Sequence, residues 1–247
     1  MAWELEWSDF LEVAVSWAKT TDLVLLNGQC ATISGNEENK EDTMGLLRDI
    51  FGRSKNEIWE IFSREIDANF IEGGFWRGDK VVAKVNEWTV TLDTYDSGGE
   101  TSSTYTRIRA PYVNKDGFRF KFYRKTNFSD LGKLFGMQNI EIGIPSFDKK
   151  YIIQGNNQQK VKELFANQKI RGLIETQPTI YFKVKDDDGI QSEIDFPDCV
   201  DILYFEAAGV INDIDRLKKL FTLFLEILNQ LCLIGSACRD NPKTNVN

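Results

Sequence analysis

No histidine occurs among the 247 residues, and that absence removes much of ordinary enzyme chemistry. The side chain whose usual pKa lies nearest neutrality is missing, so neither a Ser-His-Asp nor a Cys-His arrangement can be built. Zinc sites lose their nitrogen ligand as well. The four cysteines, Cys30, Cys199, Cys232 and Cys238, show no C-x-x-C spacing from which a thiolate site could be assembled. Neither G-x-x-x-x-G-K-[ST] nor G-x-G-x-x-G occurs, which disfavours nucleotide chemistry of the familiar phosphate-loop kinds. No cofactor and no metal site is expected. Acid-base work, if any, falls to Asp, Glu, Lys or Tyr.

Long apolar runs are also missing. The most apolar stretch, Leu220 to Ile234, is interrupted by Glu226, Asn229 and Gln230. It falls short of the roughly 20 residues that a membrane span needs. Glu4, Glu6 and Asp9 stand where a secretory signal would carry Lys or Arg. A cytoplasmic protein with reduced, mostly buried thiols is the simplest expectation. The net charge of −8 disfavours binding of nucleic acid or anionic lipid by the molecule as a whole, since both are held largely by Lys and Arg.

Aromatic residues, by contrast, are plentiful: 17 Phe, 7 Tyr and 6 Trp give a core-forming chain of one or two domains. Trp3, Trp7, Phe10, Ala14 and Trp17 recur at helical spacing, and Thr43 caps a short expected helix ending at Gly52. Asp22 to Leu26 ends at Asn27-Gly28. Ser54 and Glu57 form a capping box ahead of Ile58, Phe62 and Ile66. After Gly73-Gly74 the period changes from helical to two. Trp88, Val90, Leu92 and Thr94 alternate with Thr89, Thr91, Asp93 and Tyr95, then Tyr105, Arg107 and Arg109 with Thr106, Ile108 and Ala110, and then Phe118, Phe120 and Phe122 with Arg119, Lys121 and Tyr123. Residues 81–124 therefore read as an antiparallel meander.

Ile140, Ile142 and Ile144 alternate as another strand, and Tyr151 to Gln154 as a further one. Asn157 caps a helix bearing Val161 and Leu164 that continues or restarts through Ile174. Ile180, Phe182 and Val184 alternate ahead of Asp186-Asp187-Asp188-Gly189, which reads as a turn rather than a calcium loop because Val184 and Asp195 occupy the loop's first and twelfth positions. Leu203 to Ala207 adds a strand. Asn212 or Asp213 starts a long amphipathic helix through Leu217, Phe224 and Leu231, closed by Gly235. The whole is α+β with mainly antiparallel sheet, N-terminal helices, a central helix and a long C-terminal helix. The expected organisation is a helical segment over 1–70 packed on an α+β domain over 71–235, with a disordered polar tail over 236–247.

Phe147-Asp148-Lys149-Lys150-Tyr151-Ile152-Ile153, followed by helix, strands and a Leu-rich helix, resembles an uncharacterised bacterial class of domains of unknown function over about residues 139–235. The resemblance implies a bacterial cytoplasmic module and no activity. Members that share the pattern often carry membrane-spanning helices ahead of the domain, and no such run occurs in this sequence.

One local anomaly remains. Between Thr104 and Asn127 seven basic residues face one acid, Asp116, a balance of +6 in a chain of net −8. With Phe118, Phe120 and Phe122 on the buried side, Arg119, Lys121 and Tyr123 take the other. If the two strands pair, Tyr105, Arg107 and Arg109 join them in a basic, aromatic-edged face for an anionic ligand or an acidic protein surface. The competing reading is an internal ion-pair layer, with Asp93 projecting outward on the neighbouring strand. A carboxylate- or lysine-dependent enzyme and a peripheral membrane adaptor are the alternatives to a binding module. The apolar stripes of Trp3, Trp7 and Phe10, or of Leu217, Phe224 and Leu231, are core or else the faces of a homodimer.

Overall fold

A computed structural model describes residues 23–26, 29–32, 53–74, 78–98, 102–125, 138–185, 199–240 and 242. The chain divides into two units, Met1–Arg53 and Ser54–Asn247. In the first, β1 (Leu23–Leu26) and β2 (Gln29–Thr32) pair antiparallel, with Leu26 opposite Gln29. Asn-Gly is the dipeptide such two-residue hairpin links favour, so Leu23–Leu26 opens a hairpin where the sequence reading had only a run ending at a break. The stripe of Trp3, Trp7 and Phe10 and the Thr43 helix lie outside the described residues.

The second unit is built on one nine-stranded sheet in which every pair is antiparallel. Its strands are β3 (Asn69–Ile71), β4 (Lys80–Val85), β5 (Trp88–Asp96), β6 (Thr104–Val113), β7 (Phe120–Arg124), β8 (Gln138–Asn139), β9 (Tyr151–Gly155), β10 (Tyr181–Lys185) and β11 (Val200–Ala208). The spatial order is β3-β4-β5-β6-β11-β10-β7-β9-β8. The expected meander holds from β4 to β6 and then breaks, because β11 and β10 stand between β6 and β7. The two basic strands are therefore not neighbours. Reading β6 and β7 as a pair followed their closeness in sequence, whereas β10 and β11 arrive from the far end of the chain.

Five described helices accompany the sheet: α1 (Lys55–Glu65), α2 (Pro145–Lys150), α3 (Gln158–Ala166), α4 (Gln168–Glu175) and α5 (Ile214–Leu233). The Ser54–Glu57 capping box is formed in both directions. The carboxyl side chain of Asp213 caps α5 by accepting from the Arg216 N–H, and Gly235, at φ +74°, follows its end. Asn157 and Asn167 cap α3 and α4 separately, so the helix restarts at Asn167.

The apolar face of the sheet carries the core. Phe122 stacks on Phe182 at 5.1 Å, Phe182 meets Phe224 of α5 at 4.8 Å, and Phe165 of α3 stands edge-on to Phe122 at 5.4 Å. Trp59 and Phe62 of α1 are fully buried in the same core, so this helix, which the sequence reading placed in an N-terminal segment, belongs to the second unit. Leu217, Phe224 and Leu231 are likewise fully buried, and that stripe is used within the chain itself.

Two local expectations fail for stated reasons. Residues 140–144 do not extend β8, because the Asp148 carboxylate accepts the N–H groups of Ile142, Gly143 and Ile144, each at 3.0 Å, and curls the segment into a loop. Of the thiols, Cys199, just ahead of β11, is exposed, and Cys232 in the last turn of α5 and Cys238 beyond it are half-buried, all three free. The Asp186–Gly189 turn lies outside the described residues.

Two glycines test this packing. A Cβ on Gly155 would meet Val161 Cγ2 at 2.6 Å and the Arg119 carbonyl oxygen at 3.3 Å, whereas one on Gly172, inside α4, would meet nothing within 4 Å. Gly155→Ala should lower unfolding free energy by about 1–3 kcal/mol, and Gly172→Ala should raise it by about 1 kcal/mol. Urea titrations of both variants check this.

Candidate functional site

Antiparallel register places directly opposite residues on the same face, so the helix-packed face fixes what the other face must carry. With Phe122 and Phe182 turned to the core, Lys121 and Tyr123 of β7 and Tyr181, Lys183 and Lys185 of β10 face the other way. The same alternation sends Tyr204 and Glu206 of β11, Tyr105, Arg107 and Arg109 of β6, and Asp93 of β5 to that side. Most of these residues fall in two rows running across the strands, Tyr105 and Lys185 lying outside them. One row reads Asp93, Arg107, Glu206, Tyr181 and Tyr123; the other reads Thr91, Arg109, Tyr204, Lys183, Lys121 and Gln154.

The first row is neutralised from within. The Arg107 guanidinium donates to both oxygens of Asp93, at 2.8 Å each, and Arg109 reaches across from the second row to the same carboxylate at 2.6 Å. All three side chains are buried, Arg109 to 2% exposure. Glu206 accepts the hydroxyls of Tyr95 at 2.8 Å and Tyr204 at 2.7 Å. Tyr95 in turn stacks on Tyr105 at 5.4 Å and lies under the Arg107 guanidinium at 5.0 Å. For Arg107 and Arg109 the ion-pair layer is what the structure shows.

The second row contains no carboxylate. Lys121 lies directly opposite Lys183, and both belong to the buried central part of the sheet, Lys121 at 1% exposure and Lys183 half-buried. Burial lowers the pKa of both ammonium groups, and the charge of Lys183 lowers that of Lys121 further. Among the described residues Lys183 has no carboxylate within ion-pair distance. Its ammonium lies over the rings of Tyr181 and Tyr204, at 5.1 and 5.2 Å, and Lys185 lies over Tyr204 at 3.9 Å. Like charges set opposite one another destabilise a sheet. Rings soften that cost without cancelling the charge.

The phenols are held neutral. Burial pushes Tyr95 up to about 12, helped by the hydrogen bond it donates to Glu206. Tyr181 also rises to about 12, through burial and then the nearby Glu206 charge. Burial carries Tyr204 well above the ordinary phenol range, reinforced by Glu206.

Of the six residues singled out from sequence, five share this face: Tyr105, Arg107, Arg109, Lys121 and Tyr123. Arg119 does not join them. β7 begins at Phe120, so Arg119 escapes the strand's alternation, and its guanidinium turns to Asp201 at 3.2 and 3.3 Å. Tyr181, Lys183, Lys185, Tyr204 and Glu206 escaped the sequence reading. The signal was present, since Phe182 and Val184 alternate with Tyr181, Lys183 and Lys185 just as Phe120 and Phe122 alternate with Lys121 and Tyr123. No group of three or more His, Cys, Asp or Glu able to hold a metal occurs among the described residues.

No family model matches the chain, and no curated protein matches it. Among solved structures, the mycobacterial trehalose monomycolate transport factor A, TtfA, is similar at 9% identity and a TM-score of 0.42. The likeness covers 72% of this chain and 95% of that one. At that score it carries no argument about this protein.

Two predictions follow from the charged face. Asp93→Asn leaves two buried guanidinium groups without their shared counter-charge and should cost about 3–5 kcal/mol of stability, read by chemical denaturation. For Tyr95 and Tyr181 the folded pKa lies above the unfolded value near 10. Their contribution is therefore complete below pH 10 and is lost as pH rises through 12. Phenolate absorbance should show these groups titrating above the ordinary phenol range, with stability falling across that window.

Proposed function

We propose that this chain is a non-enzymatic binding module whose charged sheet face receives an anionic group. The observation that carries the reading is the opposition of Lys121 and Lys183 in a row without a carboxylate, with Lys185 two residues along the same strand. Side chains directly opposite in an antiparallel pair have Cβ atoms about 5 Å apart, close enough for both ammonium groups to grip one anion. A phosphate or carboxylate there would replace like-charge repulsion with charge-assisted hydrogen bonds. The rings of Tyr181 and Tyr204 hold the Lys183 ammonium in place.

Arg107 and Arg109 take a supporting role in this reading. Their charge is answered by Asp93, so they brace the face while the lysines make the contact. A cytosolic setting suits the three free thiols. No described helix is long and apolar enough to cross a membrane.

Thermal unfolding in rising concentrations of inorganic phosphate, at constant ionic strength, tests the reading. Phosphate should raise the melting temperature of the unaltered protein, as any ligand of the folded state does, and leave Lys183→Met unmoved. Because burial of half its side chain already disfavours the Lys183 charge, Lys183→Met should fold at least as stably without phosphate. A melting temperature indifferent to phosphate in the unaltered protein, together with a destabilised Lys183→Met, would make the lysine row purely structural.

A further inference from the structure

Of the two lysines that oppose one another across β7 and β10, Lys121 is 1% exposed, whereas Lys183 is half-buried and so meets solvent. Lys183 also stands apart from the arginines of the face. Arg107 and Arg109 share the carboxylate of Asp93, while among the described residues the Lys183 ammonium has no carboxylate within ion-pair distance and lies over the rings of Tyr181 and Tyr204, at 5.1 and 5.2 Å. A ring attracts a cation, yet it returns less than the water that burial removes. The Glu206 charge, on the neighbouring strand, favours the ammonium form, but that carboxylate already accepts two phenol hydroxyls. Burial outweighs it, and the Lys183 pKa lies below the ordinary lysine value. Loss of hydration, with a second cation set opposite, is how a lysine amine is made a nucleophile.

We propose that Lys183 is an acylation site, its amine taking the acyl group of a small acyl phosphate that arrives from solvent. The neutral Nζ attacks the carbonyl carbon, and a C–N bond forms as the C–O bond to phosphate breaks. The departing phosphate takes up the proton lost from nitrogen. The product is an uncharged amide, so acylation removes one of the two opposed charges. The site stands whether or not the face binds an anion. Where it does, acylation would weaken that binding, a consequence that rests on the anion-binding reading.

The test incubates the full chain with acetyl phosphate at neutral pH and follows each lysine by peptide mass spectrometry. Lys183 should gain acetyl severalfold faster than the exposed Lys149 and Lys162, and Lys121 should stay unmodified. In concentrated urea, where burial is lost, the lead of Lys183 should disappear. Glu206→Gln removes the charge that favours the ammonium form, so a variant that folds by circular dichroism should acetylate at Lys183 faster still. Acetylation of Lys183 no faster than of Lys149 and Lys162 in the folded chain would overturn the proposal, as would labelling of Lys121 ahead of Lys183. A lead that persists in urea would overturn the role of the sheet, because the local sequence would then suffice. An unchanged rate in folded Glu206→Gln would overturn the electrostatic cause. Phosphate that still raises the melting temperature of the acetylated protein would break the link to the anion site alone, so the two readings fail separately.

Discussion

Asp93 is the charge on which the polar face depends. A wide antiparallel sheet whose central strands are buried on both sides must fill one side with apolar residues and find a way to keep ions on the other. Here one carboxylate takes two guanidinium groups, from Arg107 and Arg109, across a strand boundary. Such a cluster contributes little net stability, because desolvation offsets most of the Coulombic gain. What it gives is register: slipping β5 against β6 by one residue would turn Asp93 into the core and strand both arginines.

With Asp93 committed to β6, and Glu206 committed to two phenols, no acid remains in the row that reaches β10 and β7. The lysine pair is the consequence. Its positive field sits in a chain of net charge −8, so the cationic character is local and confined to the sheet centre. Charge of that kind favours a discrete anionic group over an extended polyanion, which would meet repulsion from the rest of the surface.

The opposite face depends on different physics. Phe120, Phe122, Phe165, Phe182 and Phe224 form a continuous aromatic cluster joining β7, β10, α3 and α5. It ties strands from the middle of the chain to the helix nearest its C-terminus. That tie lets β10 and β11 enter the sheet between β6 and β7, since each new strand brings inward-facing residues to a core already defined by the helices.

What the sequence by itself determined was local: period-two alternation, caps and turn residues. From these follow α1, α3, α5, most of β5, β6 and β7, and the inward and outward sides of each strand, because such signals act over a few residues. Strand alternation also placed Arg107, Arg109, Lys121 and Tyr123 on the outward side, where they lie. Only the tertiary structure decided which strands became neighbours, and that decision joined the arginines to Asp93 and set Lys121 opposite Lys183. The physical reason is that cross-strand pairing joins residues some 60 to 100 positions apart through packing and hydrogen bonds that leave no trace in local spacing. Arg119 shows the same limit at close range. One residue outside the strand, it was free to follow Asp201, and nothing in its neighbours' spacing marked where the strand began.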